Sequence, residues 1–256
     1  MRLDLYLFQS GYVKSRQRAK TLIEQGNVSV DGVAIKKPSY EMTDREYVIE
    51  ITDSCPYVSR GGLKLEALLK ATEIDVKGRV CLDIGASTGG FTHCLLLSGA
   101  SLVYAVDSGT NQLDDSLKAN PNVVSIENYN ARNLSLDDIG EMVDIVTIDV
   151  SFISQNIILP RISAVMKNDG VYLSLIKPQF ELDRRDVGKG GIVKDKRARL
   201  HAVNSVIECA FQNGLCCELL IKSPIQGGDG NVEYLACFRK GNRVLNNEYI
   251  KKVVFE

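Results

Sequence analysis

The stretch Val80-Cys-Leu-Asp-Ile-Gly-Ala-Ser-Thr-Gly-Gly-Phe-Thr92 constrains the fold of this chain most. An apolar run around one acid, then glycines, then the start of an amphipathic segment reads as a buried strand turning straight into a helix. Gly85, Gly89 and Gly90 carry no Cβ, so the backbone can turn tightly there and lie against a ligand, with the free N–H groups of the helix start aimed at it. The pattern predicts a nucleotide-like cradle. No Gly-Lys-Ser/Thr ending follows, and a triphosphate site needs that lysine to neutralise phosphate charge. A tight turn without a ligand fits the same residues, so the partners downstream decide.

Downstream, strand and helix alternate. Residues 101–107, 123–127, 144–150 and 171–177 read as strands two to five, which predicts an α/β domain with a doubly wound parallel sheet. Residues 215–222 and 232–238, joined through Gly227-Gly-Asp-Gly230, are too close in sequence for a crossover and close the sheet as an antiparallel pair. Asp107 ends strand two about 20 residues beyond the glycines, where a carboxylate can accept ribose hydroxyls; a helix N-cap is the other reading, since Ser108 and Gly109 follow. Residues 178–195 form a long polar loop rich in glycine and charge, and a helix over 196–213 comes next.

The first part of the chain reads differently. Leu3, Leu5, Leu7 and Phe8 make a short apolar helix ended by Gly11, and Ser15 is placed to cap a second helix over 16–25 that Gly26 closes. Residues 27–30 alternate, Asp31-Gly32 signals a type I′ hairpin, and Val33-Ala-Ile35 resumes the strand. Residues 1–37 hold seven basic side chains (Arg2, Lys14, Arg16, Arg18, Lys20, Lys36, Lys37) against three acidic ones (Asp4, Glu24, Asp31), in a chain of net charge −1. A solvated helix face and an RNA surface are both consistent with that segregation. Pro38, a charged stretch and Pro56 suggest a strand and a linker, which puts two domains at 1–55 and 56–256. A helix then starts after Ser59, with Leu65, Leu68 and Leu69 as its apolar stripe and Lys64 in its first turn. Lys64 is either solvent-facing or, with two glycines just before it, close to a substrate.

Composition excludes several classes. At 256 residues and 45% hydrophobic, the chain can bury a full core. Seven cysteines form no CxxC pair and only two histidines are present, so zinc is not expected, and unpaired thiols in apolar runs suit a reducing cytoplasm. Asp4 interrupts what a signal peptide would need, and no apolar stretch approaches the ~20 residues of a membrane span.

Two resemblances add to this. Arg2-Leu-Asp-Leu-Tyr, Gly11, Ser15-Arg16, Ala19 and Gly26-Asn-Val-Ser-Val-Asp-Gly32 resemble the small S4 RNA-binding domain. The resemblance implies that Arg2, Lys14, Arg16, Arg18 and Lys20 meet phosphates of a folded RNA. Ser59-Arg-Gly-Gly-Leu-Lys-Leu65, Asp83-Ile-Gly-Ala-Ser-Thr-Gly-Gly-Phe-Thr92, Asp149-Val-Ser-Phe-Ile-Ser154, Lys177-Pro-Gln-Phe-Glu181, Val187-Gly-Lys-Gly-Gly-Ile192 and Gly230-Asn-Val-Glu-Tyr234 are similar to the TlyA family, over essentially the whole chain.

That second resemblance implies an S4-like domain joined to an FtsJ-like Rossmann methyltransferase domain, strand order 3-2-1-4-5-7-6 with strand seven reversed. It implies 2′-O-ribose methylation of ribosomal RNA from S-adenosylmethionine, without a metal, by a tetrad of Lys64, Asp149, Lys177 and Glu233. In that order Asp149 and Lys177 end neighbouring strands, and a lysine there can either hydrogen-bond the developing alkoxide or take its proton. Two structural ion pairs at a sheet edge are the other reading of these four residues. Cofactor roles fall on Asp83, Gly85, Ser87, Gly89, Phe91 and Asp107, with Asn130 on the adenine side. The family more often shows Asp-Val-Gly where this chain has Asp107-Ser-Gly109, and Thr where it has Tyr129. It also carries a haemolysin label. A membrane-lytic protein and an RNA clamp without turnover are therefore the rival expectations; the sequence has no spanning segment or strongly cationic amphipathic helix to support the first.

Overall fold

The computed structural model describes residues 1–13, 16–24, 26–52, 55–227, 230–241 and 245–256. Lys14, Ser15 with its expected cap, Gln25, and Gly228 and Asp229 of the glycine loop lie outside the described residues. The chain divides into two compact units, Met1–Pro56 and Tyr57–Glu256.

In the first unit, helices α1 (Leu3–Gln9) and α2 (Arg16–Glu24) precede strands β1 (Val28–Val30), β2 (Val33–Ala34) and β3 (Ile49–Ile51). Asp31 and Gly32 have φ of 51° and 79°, the two left-handed residues a type I′ hairpin requires. β1 pairs antiparallel with both β2 and β3. Leu3, Leu7, Ala19, Leu22, Ile23 and Val28 form the core, so each helix buries the face its apolar spacing marks out.

The second unit runs α3 (Gly61–Thr72), β4 (Val80–Ile84), α4 (Gly90–Leu97), β5 (Leu102–Val106), α5 (Asp115–Lys118), β6 (Val123–Ile126), α6 (Leu136–Ile139), β7 (Val143–Ile148), α7 (Leu159–Val165) and β8 (Met166–Ile176). It continues with α8 (Pro178–Glu181), α9 (Lys196–Gln212), β9 (Leu215–Lys222), β10 (Tyr234–Lys240) and α10 (Asn247–Phe255). The sheet order is β6-β5-β4-β7-β8-β10-β9. That is the expected 3-2-1-4-5-7-6, with β10 antiparallel to both its neighbours. β4, β7 and the second half of β8 are almost wholly buried, which is why they read as unbroken apolar runs: helices cover both faces of a parallel sheet. Leu82, Val146, Tyr172 and Phe238 of the sheet pack with Ile162 of α7, Val203 and Val206 of α9, and Ile250 and Val254 of α10.

The structure departs from expectation at three places. β8 begins at Met166 rather than Val171, because Met166 already pairs with Val143 across a register shift, and its next three residues are polar and partly exposed. The polar loop over 178–195 contains α8 and two 3-10 turns, Arg184–Asp186 and Lys189–Gly191. α10 has no counterpart in the sequence reading, although Asn246 caps it by accepting from the Glu248 N–H at 2.8 Å and Ile250 and Val254 recur at i, i+4.

Candidate active site

The glycine turn leaves β4 as the pattern requires. Gly85 has φ +83°, and a Cβ on it would lie 2.4 Å from the Asp149 carbonyl oxygen. The obstacle is backbone on the neighbouring strand, so no side chain fits. Ser87 holds the left-handed region at φ 48° without being glycine, and its N–H donates to Asp107 Oδ2 at 2.7 Å. Asp107 Oδ1 accepts from the Gly109 N–H, also at 2.7 Å. One carboxylate thus ties the turn after β4 to the end of β5, and its remaining lone pairs are available to a ligand's hydroxyls.

These elements open a cleft of about 690 Å³ at the carboxyl ends of the parallel strands, within the usual range for a small-molecule site. Gly85, Ser87, Asp107, Asn130, Asp149 and Phe152 line it. Asn130 also caps the turn Ala131–Asn133, accepting from the Arg132 N–H at 3.1 Å.

Asp83, Gly89 and Phe91, the other residues expected at the cofactor, are not among those that line this cleft. Asp83 is 0% exposed; its Oδ2 accepts from Thr92 Oγ1 at 2.7 Å and its Oδ1 from Thr147 Oγ1 at 2.9 Å. Burial pushes its carboxyl up to about 6, against the pull of those two hydroxyls. Phe91 is buried, and a Cβ on Gly89 would meet Leu117 Cδ1 at 2.3 Å, so both positions serve the packing under the turn.

Next to the cleft two ion pairs form. Lys64 Nζ lies 2.5 Å from Glu233 Oε2, with the side chains 10% and 2% exposed, so Lys64 is not a solvent-facing lysine. Lys177 Nζ lies 2.5 Å from Asp149 Oδ1. The angles of that second contact are not those of a hydrogen bond: Asp149 Oδ1 is buried without a hydrogen-bond partner, while Lys177 donates to Ser151 Oγ at 3.1 Å. The β8–β10 ladder ends with Ile176 paired to Tyr234, so Lys177 and Glu233 lie just beyond the same end of it. A Cβ on Gly61, one turn before Lys64, would sit 3.8 Å from Asp149 Oδ2. The four ionisable side chains therefore converge where α3 meets the ends of β7, β8 and β10.

Sequence reasoning missed an aromatic pair at the same edge. Phe152 is 92% exposed and has φ 64°, and its ring centroid lies 5.1 Å from that of Phe180. A bulky exposed residue held in the left-handed region is strained, and strain of that kind gathers at functional sites. Lys177 Nζ stands 5.9 Å from the Phe180 ring centroid. The available signal was an aromatic three residues past each of two strand-end ionisable groups, Asp149 and Lys177. Sequence reasoning also missed Asn231, 1% exposed, whose side chain accepts from the Val193 N–H and donates to the Gly191 carbonyl, both at 2.9 Å. It pins the glycine-rich segment beside Glu233. In the first unit, Arg2 and Arg16 are half-exposed and share Asp4, and Lys20 stands 3.9 Å from Glu24. Among the described residues no group of three or more His, Cys, Asp or Glu is placed to hold a metal ion.

This sheet order, with a glycine turn and a strand-end carboxylate opening onto one cleft, defines an S-adenosylmethionine-dependent methyltransferase. The FtsJ-like methyltransferase family matches residues 57–240 and the S4 domain residues 1–45. Hemolysin A of Brachyspira hyodysenteriae is 43% identical over 243 residues, 93% of this chain and 99% of that protein. The 16S/23S rRNA (cytidine-2′-O)-methyltransferase TlyA of Mycobacterium tuberculosis H37Rv is 43% identical over 239 residues, 93% of this chain and 89% of that protein. A solved structure from Streptococcus thermophilus, described as a hemolysin, superposes with a TM-score of 0.81 at 39% identity, covering 100% of this chain and 94% of that one. The chain belongs to the TlyA family of FtsJ-like methyltransferases.

Proposed function

We propose that this protein methylates a ribose 2′-hydroxyl of ribosomal RNA, with residues 1–55 binding the RNA and residues 56–256 carrying out the transfer. The observation that carries this reading is the convergence of Lys64–Glu233 and Lys177–Asp149 beside the cleft. The cytidine ribose methylation for which the Mycobacterium relative is named supports it.

The cradle fits the cofactor: Gly85 lets the turn pack tightly against the Asp149 backbone while lining the cleft, and Asp107 presents a carboxylate to ribose hydroxyls. Gly85, Ser87, Asp107 and Asn130 would hold S-adenosylmethionine, which supplies an electrophilic methyl group on its sulfonium. Asp83, Gly89 and Phe91 keep the turn in shape from below. A ribose hydroxyl is a poor nucleophile near neutral pH. Lys177, steered by Asp149 and Ser151, faces that hydroxyl and either donates to it as negative charge develops or takes its proton. Lys64, locked by buried Glu233, adds a second fixed cation. The main task is positioning, which these rigid strand ends perform without reorganisation. Phe152 and Phe180 offer aromatic faces to a base that has left its stack. Arg2, Lys14, Arg16, Arg18 and Lys20 bind phosphates. A ribosomal substrate places the protein in the cytoplasm. Among the described residues no helix is long and apolar enough to cross a membrane.

The test is incubation with methyl-labelled S-adenosylmethionine and either deproteinised 16S and 23S rRNA or isolated 30S and 50S subunits. Digestion to nucleosides should yield a 2′-O-methylated nucleoside. Label on a base, or none in any of the four preparations, would overturn the assignment.

A further inference from the structure

Among the described residues of the first unit one acid is buried, Asp4, 2% exposed, among residues otherwise apolar at that depth. An acid on an RNA-facing helix is the wrong sign for its partner, since phosphate repels carboxylate. Its contacts explain its presence. Arg2 Nε donates to Asp4 Oδ1 at 2.9 Å and Arg2 Nη2 to Oδ2 at 3.1 Å, a two-pronged pair; Arg16 Nε donates to Oδ2 at 3.0 Å; and the Leu5 N–H donates to Oδ1 at 3.0 Å. Arg2 precedes α1 and Arg16 opens α2, so one carboxylate gathers guanidinium groups from two segments. The arginines hold its carboxyl below the usual carboxylate range.

Both guanidinium groups spend inner N–H edges on Asp4, while the side chains stay 48% and 51% exposed. Two positive charges against one negative leave a local net charge of +1. A free arginine side chain samples many rotamers and must be ordered when it binds; here the hydrogen bonds to Asp4 restrict both side chains before a ligand arrives. Guanidinium forks match phosphate geometry, and two forks fixed side by side present that geometry as a unit.

We propose that Asp4 is a positioning residue that organises Arg2 and Arg16 into one preformed fork for an RNA phosphate. The consequence runs against simple electrostatics: removing this negative charge weakens RNA binding. The inference rests on the reading of residues 1–55 as the RNA-binding unit, and the experiment separates the two.

Dissociation constants of the full-length protein for in-vitro-transcribed 23S rRNA are measured between 50 and 300 mM KCl for the wild type, Asp4→Asn, Asp4→Glu, Arg2→Ala and Arg16→Ala. Each arginine variant should lose roughly tenfold in affinity and about one unit of the slope of log K against log salt, as one lost phosphate contact does. Asp4→Asn should weaken binding by a similar factor with a shallower slope, whereas relief of repulsion alone would tighten it. Asp4→Glu keeps the charge and the acceptor but lengthens the arm, so it displaces both forks. It should also bind more weakly, and it decides the matter if circular dichroism shows that Asp4→Asn melts the unit. Unchanged affinity in both arginine variants would overturn the RNA surface and the fork with it. Weakened arginine variants beside Asp4→Asn or Asp4→Glu proteins that fold and bind at least as tightly as wild type would leave the surface standing and overturn the role of Asp4.

Discussion

Ser154 donates its hydroxyl to Glu181 Oε2 at 2.5 Å, and this contact joins the segment that follows Asp149 to the segment that follows Lys177. The same carboxylate accepts from the Gln155 N–H at 3.0 Å. Gln155 is anchored in turn, its Oε1 accepting from Tyr172 at 2.6 Å and Ser174 at 2.5 Å on β8. Burial raises the Glu181 carboxyl, opposed by the donors from Ser154 and Gln155. The latch ties the segment that carries Asp149 and Phe152 to the segment that carries Lys177 and Phe180. Ser154→Ala removes one donor and leaves an oxygen of the half-buried Glu181 carboxylate short of a partner. Turnover should fall about tenfold, since misplacements of an ångström cost up to ~10². Ser154→Thr, which restores the hydroxyl, should recover most of it. Single-turnover kinetics with S-adenosylmethionine affinity measured alongside would check this; an alanine variant with normal turnover removes the latch from the mechanism.

Lys177 ends a buried strand, is 12% exposed, and lies against Asp149 without hydrogen-bond alignment. A substrate hydroxyl can therefore draw its N–H groups without dismantling a well-made bond. Lys177→Ala should lower methyl transfer by at least ~10², the low end for one positioned acid–base group, with RNA and S-adenosylmethionine affinities little changed. Arginine should fail to rescue, because guanidinium is bulkier and stays protonated. Near-normal transfer by a folded Lys177→Ala protein would leave Lys64 as the remaining lysine.

The doubly wound α/β class was legible in residues 80–177 because buried parallel strands are apolar on both faces and read as unbroken apolar runs between helical segments. The strand order came from family resemblance; periodicity alone does not say which strands are neighbours. Lys64 shows the limit of local reading. Nothing within its helix distinguishes a solvated lysine from a buried one, and its partner Glu233 lies 169 residues away. Asp83 shows a different limit. It shares a motif with residues that line the cleft, and strand alternation turns it inward to Thr92 and Thr147, an orientation that the motif alone does not state. Phe152 was overlooked because an exposed phenylalanine is ordinary until its φ is known.

The cradle makes its own prediction. Gly85→Ala would force a Cβ to 2.4 Å from backbone and also strain φ +83°, so the turn must move. Asp107→Ala leaves that backbone conformation accessible but removes the acceptor that ties Ser87 to Gly109. Calorimetry should show S-adenosylmethionine binding lost in the first variant and weakened roughly tenfold or more in the second, the scale of a lost hydrogen bond to a charged group. Unchanged affinity in Asp107→Ala would place the ribose contact elsewhere.

Asp83 predicts a pH dependence of stability that is separable from catalysis. Its folded-state value is about 6 because burial disfavours the charge, while an unfolded aspartate titrates near ~3.9. The folded state therefore holds the proton longer. Stability from this group is fully present below the unfolded value and is lost as pH rises through the folded one, so the window is roughly pH 4 to 6. The difference corresponds to on the order of 3 kcal/mol, from about 1.4 kcal/mol per unit. Asp83→Asn has no proton to lose, and the threonine hydroxyls can rotate to accept from its amide as well as donate to its oxygen. Thermal unfolding of both proteins between pH 4.5 and 8 isolates the group, because every other titration is common to the pair. The wild type should lose stability relative to Asp83→Asn as pH rises, with the change complete by about pH 7. A difference that stays constant across the range, or that grows in favour of the wild type toward pH 8, would mean that the two threonine hydrogen bonds outweigh burial and that Asp83 is ionised in the fold throughout.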